Sequence, residues 1–246
     1  MLLAILFLVT ATLYSSVGFG GGSTYLALLL IWNVPYFIFP LIALCCNIIV
    51  VSGNCFNYIK AGNLNFKLLL PYLIGSIPLA YLGGSLTIEK KIFEIILFFV
   101  LSIAGLLLLF NFKSYGKIHL KYNKISFGIS IVIGAVIGFI SGIVGIGGGI
   151  FLSPILFLLK ADKPSHIITA ASLFILINSF SGIAGHLTKN DILIQMTDYW
   201  YLLLAVLIGG QIGNYLNLKI LSTRILALVT ALLVIFVAIR MGVGLI

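Results

Sequence analysis

The stretch "VGFGGGSTY" at residues 17–25 sets four glycines, Gly18, Gly20, Gly21 and Gly22, between two long apolar runs. The stretch "VGIGGGIFL" at 144–152 repeats the pattern, with Gly145 standing 127 positions after Gly18. Glycine adopts positive φ freely and lets other groups approach the backbone closely. Both stretches are therefore read as helix breaks, and the fold is read outward from them.

Of 246 residues, 62% are hydrophobic and 8% charged, where a soluble domain carries roughly 25% charged residues. Apolar runs cover nearly the whole length, which predicts an all-α, multi-pass membrane protein with no soluble domain of useful size. The net charge of +9 would suggest nucleic acid in a soluble chain. Here the cations sit in short loops, where they act as topology signals and contacts to anionic lipid, so no nucleic-acid partner is expected. Cys45, Cys46 and Cys55 share one apolar segment and match no metal-ligand spacing. Inert buried thiols are the expectation, with no metal and no disulfide framework. The opening run "MLLAILFLVTATLYSS" lacks the basic start of a cleaved signal and is read as a retained first segment.

The chain also repeats itself. Gly18 to Gly22 align with Gly145 to Gly149, Ser52-Gly53 with Ser181-Gly182, and Gly83 in "AYLGGSL" with Gly213 in "GQIGNYL", at offsets of 127, 129 and 130. The joint is "NFKSYGKIHLKYNK" (111–124), which carries four lysines. The expected organisation is a first membrane repeat over 1–112, a cytoplasmic linker over 113–124 and a second repeat over 125–246. Five apolar segments are expected in each, near 2–17, 20–32, 36–58, 68–87 and 92–112, then 126–144, 148–160, 165–187, 199–217 and 222–245. Pro35, Pro71 and Pro164 fall near segment starts, where a missing N–H costs least. Segments 20–32 and 148–160 are too short for the ~30 Å hydrocarbon core at ~1.5 Å per residue. Each is either half of a re-entrant hairpin or a tilted, broken crossing.

Charge orients the halves. With five crossings per half, or three plus a glycine-linked hairpin, one side collects Lys60, Lys67, Lys113, Lys117, Lys121, Lys124, Lys160, Lys163, Lys219 and Arg224. The other side holds Lys90, Lys91, Lys189 and Arg240. The bias puts the linker in the cytoplasm and both termini outside. An odd number of crossings per half makes the halves inverted, an architecture of transporters whose site lies near the midplane.

A break inside the membrane leaves backbone N–H groups that hydrocarbon cannot satisfy, so it is tolerated where it faces a polar cavity. The helix that follows presents its positive N-terminal end, which suits an anion without any charged side chain. The candidate substrate-binding groups are Gly20, Gly21, Gly22, Ser23, Thr24 and Asn47 in the first half, with Gly147, Gly148, Gly149 and Asn178 in the second. Neutral donors of this kind bind an anion and release it again. Ser52, Asn54, Asn57, Ser153, Ser172, Ser179, Ser181, Gln211 and Asn214 are further polar groups, each also explicable as helix-packing glue. Gly134, Gly138 and Gly142, spaced by four, fit close helix packing. Glu89, Glu94, Asp162, Asp191 and Asp198 lie at segment ends or loops, so nothing supports a carboxylate proton relay or cation site. His186 ends a segment, while His119 and His166 read as loop residues. No catalytic triad, metal cluster or phosphate loop is present in the sequence, so neither an enzyme nor a cofactor is expected.

With these residues in view the chain resembles the TauE/SafE family of sulfite exporters, also called the 4-toluene sulfonate uptake permease family. The resemblance spans nearly the whole length. It rests on the paired "SSVGFGGGSTYLALLL" and "SGIVGIGGGIFLSPIL", on "SGIAGHLTKND" and on "GGQIGNYLNLKILS". It implies a carrier in the bacterial inner membrane for sulfite, a sulfonate or another small sulfur-containing anion. Sulfur comes from the resemblance, not from spacing or periodicity. The Cys- and Asn-rich third segment and Pro78, which has no counterpart near 208, depart from a simple duplication and leave the substrate open. An anion channel and a non-transporting membrane scaffold stand as the alternatives. Membrane lipid and a small anion are the expected partners, with homo-oligomerisation open.

Overall fold

The computed structural model describes residues 1–16, 18–111, 122–189 and 196–219, with scattered positions from 228 to 242. The tenth expected segment lies largely outside the described residues, as do Lys113, Lys117, His119, Lys121, Asp191, Arg224 and Arg240. Among the described residues all regular structure is helical: α1 (Leu2–Ser15), α2 (Gly22–Ile31), α3 (Phe39–Lys60), α4 (Phe66–Ser85), α5 (Lys90–Asn111), α6 (Phe127–Val144), α7 (Gly149–Leu158), α8 (Pro164–His186) and α9 (Trp200–Lys219). Four described stretches, Tyr36–Lys60, Phe66–Ser85, Phe127–Val144 and Pro164–His186, are long and apolar enough to cross a membrane. By contrast α2 and α7, of ten residues each, reach only about 15 Å.

Local chemistry sets the ends. Pro164 occupies the first turn of α8, where no N–H is needed. The Asn65 side chain caps α4 by accepting from the backbone N–H of Lys67 (3.1 Å) and Leu68 (3.3 Å). This cap starts the helix two residues before the segment expected from apolarity. Pro71 therefore lies inside α4 rather than at its start, as does Pro78.

The helices are joined by glycine. Along α6, Cβ atoms placed on Gly134, Gly138 and Gly142 would strike the backbone of Tyr72, Ser76 and Ala80 on α4. The two backbones are in contact, as the four-residue spacing predicts. Helix α9 meets α1 the same way, with Gly209 against Leu8 and Gly213 against Thr12. The spacing of these contacts matches the offsets read between the two glycine stretches and between Gly83 and Gly213 in the sequence. Gly83 faces the carbonyl of Phe139 and Gly213 that of Thr12, where 213 − 83 is 130 and 139 − 12 is 127. Thus α4 packs on α6 and α8, while α9 packs on α1 and α3.

Apolar side chains cover the outside of this bundle, among them Phe66, Leu70, Ile74, Phe99, Ile103, Val132, Val136, Leu204 and Ile208. Such a surface suits lipid rather than water. The interior holds Phe7, Tyr14, Tyr25, Phe39 and Phe174, each at most 1% exposed.

A polar latch ties the start of α4 to the α7–α8 connection. Asp162 accepts from the Asn65 amide (2.6 Å), the Lys163 N–H (2.7 Å) and His166 Nδ1 (2.9 Å). Partial burial pushes the Asp162 pKa up, but these donors outweigh it and hold the carboxyl below its ordinary value. Asp162 therefore stabilises the fold above about pH 3.9, the ordinary carboxylate pKa, and that contribution is lost as pH falls toward its folded value. In a melting series from pH 6 to about pH 3, wild-type protein in detergent is expected to lose more of its melting temperature than Asp162→Asn. Equal losses would show that the latch carries no such linkage.

Candidate functional site

Both glycine stretches break the chain as expected. After α1 the backbone turns at Gly18 (φ +84°), and Gly21 (φ +85°) caps the start of α2. After α6 it turns at Gly145 (φ +87°) and Gly147 (φ +80°), and Gly148 (φ +79°) caps α7. Five positive φ values in two short stretches explain the glycine count, because side-chain-bearing residues are strained there. The first N–H groups of α2 and α7 have no carbonyl within their own helices and carry the positive end of each helix dipole.

Asn47 of α3 brings the breaks together. It is 0% exposed, and its Nδ2 donates to the carbonyl of Ile146 (3.0 Å) and, at longer range, of Gly145 (3.5 Å). A Cβ on Gly20 or Gly22, in the other break, would collide with the same side chain. A Cβ on Gly22 would also lie 3.0 Å from the Ile146 carbonyl oxygen. One amide thus sits between two broken segments 127 residues apart in sequence. Its Oδ1 has no protein partner, which leaves an acceptor and a polarisable amide at the junction.

On α8 the residue that faces the second glycine stretch, as Asn47 on α3 faces the first, is the apolar Ile175. Gly20 and Gly22 face Asn47, and Gly147 and Gly149 face Ile175, an offset of 128, with Gly147 also 3.0 Å from Asn47 Nδ2 at its Cβ position. The other contacts agree. Gly18 faces Ile168 and Gly145 faces Pro40, and the Gly84–Gly185 approach corresponds to the Asn57–Asn214 hydrogen bond. These contacts relate α3 to α8 at a spacing of 128, beside the 129 of the Ser-Gly match read from sequence.

Ser172 and Ser179 frame the same junction. Ser172 Oγ donates to the Gly18 carbonyl (2.6 Å), and Ser179 Oγ lies 3.2 Å from the Cβ position of Gly147. Asn178 turns its amide to the Phe174 carbonyl of its own helix (2.8 Å), leaving a buried Oδ1 without a partner. Ser23 and Thr24 point at a residue not singled out from sequence: the Tyr14 hydroxyl shares hydrogen bonds with Thr24 (2.7 Å) and Ser23 (3.3 Å). Tyr25, stacked on Phe7, is likewise buried near Gly21. An aromatic in an apolar run gives no sequence signal that its hydroxyl faces a helix start. Asn57 and Asn214 bond each other at 3.0 Å and act as glue between α3 and α9.

A small cavity lies among Tyr14, Phe19, Gly20–Gly22, Ser23, Ile146, Ile150 and Ile175, with about 10 Å³ of space. That is room for about one water molecule. The junction is closed in this conformation.

A membrane-embedded helical bundle with two interrupted helices meeting at a neutral polar centre has the architecture of a membrane transporter. The chain belongs to the Sulfite exporter TauE/SafE family, whose profile matches residues 2–241. It is 27% identical over 239 residues to a "Probable membrane transporter protein" of Sinorhizobium fredii, covering 94% of this chain and 93% of that one. A protein of the same description from Bacillus subtilis is 23% identical over 263 residues, covering 95% and 94%. One from Methanocaldococcus jannaschii is 30% identical over 203 residues, covering 77% and 73%. No solved structure gives a significant match. The chain is a multi-pass membrane transporter, not an enzyme.

Proposed function

We propose that the chain is a secondary carrier for a small anion, either sulfite, a sulfonate or another sulfur-containing anion, in a bacterial cell membrane. The observation that carries this reading is the meeting of two glycine breaks at Asn47. Among the described residues that junction is lined by neutral donors: the N–H groups at the starts of α2 and α7, the Asn47 Nδ2, whose second hydrogen has only the long Gly145 contact, and the Ser179 hydroxyl, which has no protein partner. Such groups hold an anion without the grip of a buried cation.

The breaks lie toward opposite ends of α3. Gly18 is beside Tyr58 and Ile168, whereas Gly145 is beside Pro40. In this reading the halves 1–112 and 125–246 are inverted, the 113–124 linker is cytoplasmic and both termini are outside. Opening the Gly18 side exposes the centre to the linker side, and opening the Gly145 side exposes it to the other. The closed junction, with room for about one water, must open to admit an anion of four or more heavy atoms. That requirement favours alternating access over a standing pore.

Uptake of radiolabelled sulfite into vesicles containing only this protein tests the reading. Saturable uptake, competed by sulfate, thiosulfate or a small sulfonate, is the expected result. No flux of any of these anions from folded protein would overturn it.

A further inference from the structure

We infer that the cavity at the His186–Lys189 end of α8 is a second anion site, a vestibule through which the substrate reaches the Gly145 break. The inference deepens the carrier reading and rests on it for the choice of anion.

The cavity holds about 50 Å³ and is lined by Tyr36, Pro40, Thr87, Ile143, His186 and Lys189, among others. One water needs roughly 10–15 Å³ on the same measure, so the space suits a small oxyanion. It also borders the candidate pathway. Pro40, in its wall, has its backbone against Gly145, and Ile143 stands two residues before that turn. The opposite end of α8, with Asp162 and Asn65, is about 35 Å away by the helix rise, so this is a separate locality.

Its polar groups form a directed chain. Lys189 Nζ lies 3.1 Å from His186 Nδ1, and His186 Nε2 lies 2.9 Å from the Gly142 carbonyl oxygen. A carbonyl only accepts, so His186 Nε2 carries the proton, and Nδ1 accepts from the ammonium. The ring is 1% exposed and neutral in this arrangement. Lys189 spends one of its three donors on His186, and among the described residues no acceptor takes the other two. Among the described residues the ion pairs are Lys90–Glu94 and Asp162–His166, so Lys189 has no carboxylate partner among them. A half-buried ammonium with spare donors, in a cavity that Thr87 and Tyr36 also line, is a receptor for an oxyanion. Gly142 is three residues before Gly145, so the chain from Lys189 ends on the last turn before the break.

The test separates charge from structure. Lys189→Gln keeps a donor for His186 and removes the charge, while Lys189→Arg keeps the charge. In sulfite uptake, Lys189→Gln is expected to raise KM roughly tenfold, the loss of a charge-assisted hydrogen bond, with Vmax within about twofold and Lys189→Arg near wild type. Equilibrium dialysis of labelled sulfite against the detergent-purified proteins gives an answer that does not depend on flux. Wild type and Lys189→Arg should bind it, competed by sulfate and weakened by salt, and Lys189→Gln should lose a binding class. Identical isotherms for wild type and Lys189→Gln would overturn the vestibule, whether or not the vesicles transport. Absence of flux from wild type, with the Lys189-dependent class present, would instead count against the carrier reading alone.

Discussion

Asn47→Leu is expected to reduce sulfite uptake by roughly ten- to a hundredfold while leaving the helix content unchanged. Leucine fills a similar volume but neither donates nor accepts. The substitution strips the junction of its amide and leaves the Ile146 carbonyl, bonded to Nδ2 at 3.0 Å in the wild type, without that partner. The expected loss corresponds to one hydrogen bond to an ionic ligand, about 1.5–3 kcal/mol. An orphaned carbonyl adds a stability cost of about 1–3 kcal/mol, which melting in detergent would register separately. The loss at Asn47 should exceed that of Asn178→Leu, because the Asn178 amide is turned back on its own helix. Gly20→Ala offers an independent route to the same place. Its φ is ordinary, so the added methyl acts chiefly by displacing Asn47. Wild-type kinetics in Asn47→Leu, measured on protein of confirmed fold, would remove the junction from the transport pathway.

Gly138→Val should prevent the protein from accumulating as a folded species. A Cβ there would stand 2.5 Å from the Ser76 carbonyl oxygen and 2.6 Å from its Cα. These are backbone atoms, so no side-chain rotation relieves the clash, and α4 and α6 must separate. Overpacking costs typically 1–3 kcal/mol where neighbours can adjust, and here they cannot without losing the flanking Gly134 and Gly142 contacts. Gly128→Ala on the same helix is the control, since nothing lies within 4 Å of its Cβ position. Size-exclusion profiles from detergent extracts should show wild-type behaviour for Gly128→Ala and aggregation or absence for Gly138→Val. A normal profile for Gly138→Val would mean that α4 and α6 are not in backbone contact.

Much of the frame was legible from residue types, for physical reasons. Three consecutive glycines in an apolar run can hardly be anything but a break. The short helices duly fall at Gly22–Ile31 and Gly149–Leu158, inside the segments 20–32 and 148–160. Glycines spaced by four could be read as a packing face because the geometry of backbone contact demands that spacing. The start of α4 was less legible, since the signal is one capping side chain, Asn65, rather than a change in apolarity.

The centre was legible only in part. Asn47 could be chosen for its depth in a segment, but depth does not determine the rotation of a helix. Asn178 is at a comparable depth, yet three residues beyond Ile175, nearly a full turn along α8. The contacts with Gly147 and Gly149 fall to Ile175 instead. Tyr14 carries no signal in the sequence, because its contacts depend on the chain folding back at Gly18, which brings α2 against α1. His186 looked like a segment-end residue, and only the neighbouring Gly142 carbonyl and Lys189 explain its burial.

The most direct measurement is trans-stimulated exchange. Vesicles containing the purified protein are loaded with unlabelled sulfite or left empty, and the initial uptake of labelled sulfite is compared. A carrier that opens its Asn47 centre to one side at a time reorients faster when it returns loaded, so preloading should accelerate uptake, and Asn47→Leu should abolish the acceleration. Uptake indifferent to preloading, accompanied by sulfite-dependent conductance steps, would contradict alternating access and identify a channel.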